Sequence, residues 1–249
     1  MPTPRKRGNT YNLSGRVVLI PGGLGGLGTA VTRAFIASGA SVVAVDNIAR
    51  DTELAALRAE LGTHAGQLSF MRADVGDEGA VAALVRDIHT RSDRLDILVN
   101  VVGGFAAGQA ITELDLAIWQ KMFDLNLKNA FVLSKHVAPP MVARGWGRII
   151  HISSRAARSG RANAAAYAIS KRAVIDLVEI QAEELRTSGV TVNTILPSII
   201  DTPANRAAMP NSDYDRWPKA DEIARVLLFL ASDDSKLISG AAIPVYGQG

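Results

Sequence analysis

Seven short runs rich in Val and Ile recur along the chain, and longer stretches with helical spacing separate most of them. The runs are Arg16–Ile20, Ser41–Asp46, Leu68–Ala73, Asp96–Asn100, Arg148–Ser153, Thr191–Leu196 and Ala242–Val245. They show little polar alternation, the pattern of strands covered on both faces. Helices are expected at roughly Leu27–Ser38, Asp51–Leu61, Glu78–Arg91, Asp115–Ala143, Ala164–Thr187 and Asp221–Ala231. In the third of these, Val81, Leu84, Val85 and Ile88 fall on one face. Strand and helix in this alternation imply a parallel sheet with helices on both sides, because parallel neighbours need a crossover. The predicted fold is therefore α/β, a doubly wound sheet of about seven parallel strands.

No repeat, low-complexity block or linker rich in Pro, Gly or Ser divides the 249 residues. One domain over 13–249 follows, preceded by a short basic tail over 1–12 that carries Arg5-Lys6-Arg7. A chain of this length buries roughly 70–75% of its unfolded surface and needs no covalent staple. The absence of cysteine excludes disulfides and thiol chemistry and suits a cytoplasmic protein. A net charge of +3 is too balanced to point to nucleic acid. No apolar run approaches the ~18–20 residues that a membrane helix needs. The four histidines, His64, His89, His136 and His151, lack metal-ligand spacing, so no metal site is expected.

In a doubly wound sheet, ligands bind beyond the carboxyl ends of the strands, where the winding reverses. The first strand runs into Pro21-Gly-Gly-Leu-Gly-Gly-Leu-Gly28, which opens a helix. Glycines let backbone approach a pyrophosphate, and the helix start offers free N–H groups and partial positive charge. Gly23, Gly25 and Gly28 fit G-x-G-x-x-G, whereas Gly22, Gly26 and Gly28 fit G-x-x-x-G-x-G. Asp46 ends the next strand, placed to accept hydrogen bonds from both hydroxyls of an adenosine ribose. It would repel a 2′-phosphate, and Asn47 offers no cation in compensation, so NAD(H) is expected over NADP(H).

Tyr167 and Lys171 stand one helical turn apart, and Ser154 ends a strand thirteen residues before Tyr167. Together these residues resemble the short-chain dehydrogenase/reductase family from about Leu13 to Gly249. The resemblance implies a Rossmann-like fold, a secondary alcohol or ketone as substrate, and dimers or tetramers of identical chains. It implies that Asn126, Ser154, Tyr167 and Lys171 form a catalytic tetrad. Tyr167 would be the general acid/base, its pKa lowered by Lys171 and by the charge of an oxidised nicotinamide, and Asn126 would hold a water reaching Lys171. Cofactor contacts are implied at Gly22, Gly26, Leu27 and Gly28, at Asp46 and Asn47, and at Asp74 and Val75. Asn100, Gly103, Tyr167, Lys171, Pro197, Ile200 and Thr202 would complete them.

Three positions depart from the family pattern. Pro21 stands for its usual threonine, Asn100-Val-Val-Gly103 for Asn-Asn-Ala-Gly, and Ser198 for a glycine. The first two suggest a paired swap from a polar contact to apolar packing. Segments at Val102–Gly108 and Asp201–Pro210 are similar to those of dihydropteridine reductases, which lack the tetrad serine, so pteridine reduction is an alternative. A non-catalytic dinucleotide-binding regulator is another, although a sensor has no chemical need for Tyr167 and Lys171. Substrate contacts are expected from Phe105, Arg155, Arg158, Arg206 and Met209, with Arg158 or Arg206 gripping a polar or anionic group. The long loop Ser198–Pro218, with small residues at Ala207-Ala208, has the length and make-up of a lid that could close over the site.

Overall fold

The computed structural model describes residues 11–248, and in it all seven apolar runs are strands. They are β1 (Val17–Pro21), β2 (Ser41–Asp46), β3 (Leu68–Arg72), β4 (Ile97–Asn100), β5 (Gly147–Ile152), β6 (Val190–Pro197) and β7 (Ala242–Val245). The sheet order is β3-β2-β1-β4-β5-β6-β7 and every pairing is parallel. This is a Rossmann-like fold. Its winding reverses between β1 and β4, which opens a crevice at their carboxyl ends.

Successive residues of a strand point to opposite faces, so each strand feeds two cores. Val18 and Ile20 join Phe35, Leu57, Ile223 and Leu227 on one face. Those partners come from α1 (Gly26–Ala37), α2 (Asp51–Leu61) and a later helix over Ala220–Ala231. Val17 and Leu19 join Val81, Leu84, Leu133 and Val178 on the other face. These partners lie on α3 (Glu78–Ser92), on a helix over Asn129–Ala143 and on one over Ala165–Glu184. The four apolar residues of the α3 stripe are all buried. Tyr11 and Leu13 pack against the first core, while residues 1–10 of the expected basic tail lie outside the described residues.

Two elements depart from the expected boundaries. The single helix expected over Asp115–Ala143 is α4 (Leu116–Phe123), one wide π turn (Asp124–Lys128) and α5 (Asn129–Ala143). A further helix, α7 (Pro203–Ala208), lies between α6 (Ala165–Glu184) and α8 (Ala220–Ala231), inside the segment expected to be loop. Thr202 caps α7 by accepting from the Asn205 N–H, and Pro203 occupies its first turn. That Thr-Pro pair is the signal the sequence offered for it. Among the described residues, no helix is long and apolar enough to cross a membrane.

Candidate active site

Pro21 ends β1, where a missing N–H costs nothing, and Gly22 follows at φ +75°, a left-handed conformation suited to glycine. The Gly22 N–H donates to Val45 O at 2.7 Å and its carbonyl accepts from Gly25 N at 3.0 Å. Gly28 lies so close to this turn that a β-carbon there would sit 1.9 Å from Gly22 O. No side chain caps the start of α1, so its first N–H groups face the crevice. Val101 N donates to Pro21 O at 3.1 Å, and Val102 lies against Gly22.

A cavity of about 780 Å³ starts at this turn and runs along the strand ends. One end is lined by Asp46, Asn47, Asp74 and Val75, the middle by Gly22, Gly26, Leu27, Gly28 and Gly103, and the other end by Ser154, Tyr167, Lys171, Pro197 and Ile200. Thr202 stands behind Gly26, where a β-carbon would meet its side chain at 3.1 Å. Asn100 lies beneath the wall instead of in it. It is buried, its amide bonding Asn129, His151 and the Val102 N–H.

Ser154 leaves the end of β5 and accepts from Ala156 N at 3.2 Å, and it lines the cavity together with Tyr167. Tyr167 and Lys171 share the inner face of α6. Lys171 Nζ donates to Ile152 O at 2.8 Å, and its backbone carbonyl accepts from Ser153 Oγ at 2.7 Å. Burial lowers Lys171 to about 8. Burial also raises Tyr167 above an ordinary tyrosine, and this outweighs the opposing Ser154 hydrogen bond and the Arg161 charge. In the free protein Tyr167 therefore lies above its ordinary value, because a phenolate suffers more from desolvation than these partners return; the expected lowering also draws on the charge of an oxidised nicotinamide. Asn126 sits on the π turn. Its carbonyl oxygen accepts from Gly104 N at 2.9 Å, while its amide donates to Gly104 O at 3.1 Å and Ser170 Oγ at 3.0 Å. The amide expected to carry a water therefore anchors the loop after β4.

Of the expected substrate contacts, Phe105 lines the cavity and meets Tyr167 edge to face at 4.9 Å between ring centres. Arg155, Arg158, Arg206 and Met209 are not among the lining residues. Arg206 grips Asp201 through Nε at 2.6 Å and Nη2 at 2.9 Å, and Lys219 adds a third bond to that carboxylate at 2.9 Å. These cations hold Asp201 well below the usual carboxylate range. The guanidinium expected for an anionic substrate already holds an internal anion. Arg158 donates to Ala242 O at 3.1 Å, and Arg155 lies 5.8 Å from the Tyr246 ring centre. The loop after β6 is braced internally, with the Tyr214 hydroxyl reaching the carbonyls of Met209 and Pro210. Arg50 was missed. It lines the cavity and donates to Asp46 at 2.8 Å, and its signal was a basic residue four positions beyond the strand-ending carboxylate.

An α/β sheet with a glycine turn at its switch point and a Ser-Tyr-Lys cluster beyond β5 defines a dinucleotide-dependent oxidoreductase. A family profile described as short chain dehydrogenase matches residues 16–213. D-threitol dehydrogenase of Mycolicibacterium smegmatis is 33% identical over 246 residues, covering 95% of this chain and 94% of that protein. A short-chain type dehydrogenase/reductase from Mycobacterium ulcerans superposes with a TM-score of 0.88 at 30% identity, covering 96% of this chain and 90% of that one. The structure described as ElxO with NADP bound gives 0.87 at 26% identity, covering 93% and 97%. The chain belongs to the short-chain dehydrogenase/reductase family, whose members bind nicotinamide cofactors and interconvert alcohols and carbonyls. The residues present fit such a cofactor, since the bare glycine turn and uncapped α1 leave room and N–H groups for a pyrophosphate.

Proposed function

We propose that this protein transfers hydride between a nicotinamide dinucleotide and a secondary alcohol or ketone, with Tyr167 as general acid/base. The observation that carries the reading is that Ser154, Tyr167 and Lys171 line the same inner end of the glycine-lined cavity, with Tyr167 and Lys171 one helical turn apart. The bound cofactor supplies the hydride acceptor or donor. Ser154 holds the substrate oxygen, and Tyr167 takes the hydroxyl proton in oxidation and returns it in reduction. Lys171 lends positive charge near Tyr167 and a donor to the nicotinamide ribose. Asn126 keeps Gly104, and so the wall opposite Tyr167, in place.

NAD(H) is the preferred cofactor in this reading, because Asp46 suits ribose hydroxyls and opposes a 2′-phosphate. The substrate is a small molecule held against Phe105. The enzyme works in the cytoplasm as a homodimer or homotetramer. Phe131, Val142 and Ile180, exposed apolar side chains on α5 and α6, support self-association.

Alcohols, sugars, ketones and pteridines tried with both dinucleotides at the reduced-nicotinamide absorbance test the class. Tyr167→Phe is expected to bind cofactor normally and to lose at least ~10²-fold in turnover. Near-normal turnover in that variant sinks the mechanism. Because Tyr167 is raised, alcohol oxidation should climb with pH through the alkaline range while ketone reduction falls.

A further inference from the structure

The end of the cavity nearest Asp46 carries its own counter-charge. The chain leaves β2 at Asp46, turns with the Ile48 N–H on Asp46 Oδ1 at 3.4 Å, and enters α2 at Arg50. Arg50 is the N-cap residue, and its carbonyl is fixed by a 2.8 Å bond from Leu54 N. Its backbone therefore cannot wander, while its side chain keeps 28% of its surface in solvent. Nε donates to Asp46 Oδ2 at 2.8 Å and Nη1 to Glu53 Oε1 at 3.1 Å, while Nη2 has no hydrogen-bond partner among the described residues. Asp46 and Arg50 both line the cavity.

A lone carboxylate beside an adenosine ribose rejects a 2′-phosphate by like-charge repulsion. The Arg50 guanidinium, which Asp46 shares with Glu53, offsets part of that repulsion and offers donors matched to phosphate. We propose that Arg50 sets how far this site discriminates between dinucleotides, pairing with Asp46 when the ribose hydroxyl is free and turning to the phosphate when NADP(H) binds. The proposal rests on the reading of the cavity as a dinucleotide site. It makes NADP(H) a usable cofactor in spite of Asp46, with Arg50 as the residue responsible. Arg72, which ends β3 beside Asp46, is a different case, because its Nε is spent on Asn47 O at 3.0 Å and it does not line the cavity.

The test needs no substrate. The wild-type protein, R50A and R72A are titrated with NADH and with NADPH, following the nicotinamide fluorescence. In R50A the dissociation constant for NADPH should rise by ~10-fold or more, the effect of losing one charge-assisted hydrogen bond. That for NADH should stay within ~3-fold or tighten, because Asp46 is then freed for the ribose hydroxyls. R72A should leave both within ~3-fold. The unchanged NADH affinity also shows that R50A is folded. An NADPH affinity unmoved in R50A, or equal losses for both dinucleotides, overturns the proposal while leaving the cavity reading intact. So does a selective NADPH loss in R72A alone. A wild-type protein that binds neither dinucleotide overturns the cavity reading and this proposal with it.

Discussion

His151 sits at the centre of the sheet, fully buried, with Asn100 at 3.3 Å from Nδ1 and Ser134 Oγ at 3.0 Å from Nε2. The Asn100 amide nitrogen is a donor, so Nδ1 accepts and Nε2 carries the proton toward Ser134. The same amide donates to Asn129 at 2.9 Å, and Asn129 in turn donates to Leu125 O, the residue before Asn126. A neutral histidine therefore ties the loop after β4 to the π turn. Burial, aided by the Lys171 charge, lowers its pKa from 6.5 to about 3. Between those values the unfolded chain binds a proton that the folded chain does not. Stability is thus complete above pH 6.5 and is lost as pH falls toward 3, by about 1.4 kcal/mol per pH unit. Urea unfolding at stepped pH should show this slope in the wild type and its loss in His151→Gln. Equal slopes in both proteins would falsify the assignment. None of this could be read in the sequence, where His151 interrupts an apolar run and its partners lie far away along the chain.

The π turn matters because it displaces one element by one residue at the point where function needs it. An α-helix running unbroken from Leu116 to Ala143 would rotate Asn126 away from Gly104; the wider turn aims its amide at both backbone groups of that glycine. Across from it, Gly103 leaves so little room that a β-carbon would sit 2.9 Å from Lys171 Nζ and 3.0 Å from Asn126 Oδ1. The lysine tip is flexible, so Gly103→Ala should fold and displace Lys171. Turnover is expected to fall by ~10-fold or more, since a 1 Å misplacement can cost ~10²-fold. The melting temperature should stay within a few degrees, about what 1 kcal/mol moves in a domain of this size. Turnover within twofold of the wild type refutes this positioning. Strand identity and order of elements were legible, because Val- and Ile-rich runs announce buried strands whatever surrounds them. The π turn was not, because apolar periodicity over a long amphipathic stretch hardly registers a single wide turn. Arg206 and Arg158 looked available from their place in the loops beyond the strand ends. Their actual partners, Asp201 and the Ala242 carbonyl, are set by tertiary packing that no local window contains.

Across the whole molecule, the cavity draws its walls from both halves of the sheet, from the turn after β1 to Ile200 beyond β6. The strands pack into two large cores on opposite faces of the sheet, and the cavity lies across both halves of it. Binding should therefore stabilise the domain as a unit. A dinucleotide at 100 times its dissociation constant adds about 2.7 kcal/mol, provided only the folded state binds it. With roughly 2–4 °C per kcal/mol for a chain of 150–250 residues, melting should rise by about 5–10 °C. Two variants separate the contributions. Tyr167→Phe retains the cavity and should keep the full rise, since it loses a hydroxyl and no wall. Gly28→Ala places a β-carbon 1.9 Å from Gly22 O, and backbone on backbone leaves nothing flexible to yield. The glycine turn must then open, and the pyrophosphate cradle opens with it. Gly28→Ala should melt lower than the wild type and gain almost nothing from the dinucleotide. A full rise in that variant would mean that the turn after β1 is not where the cofactor is held.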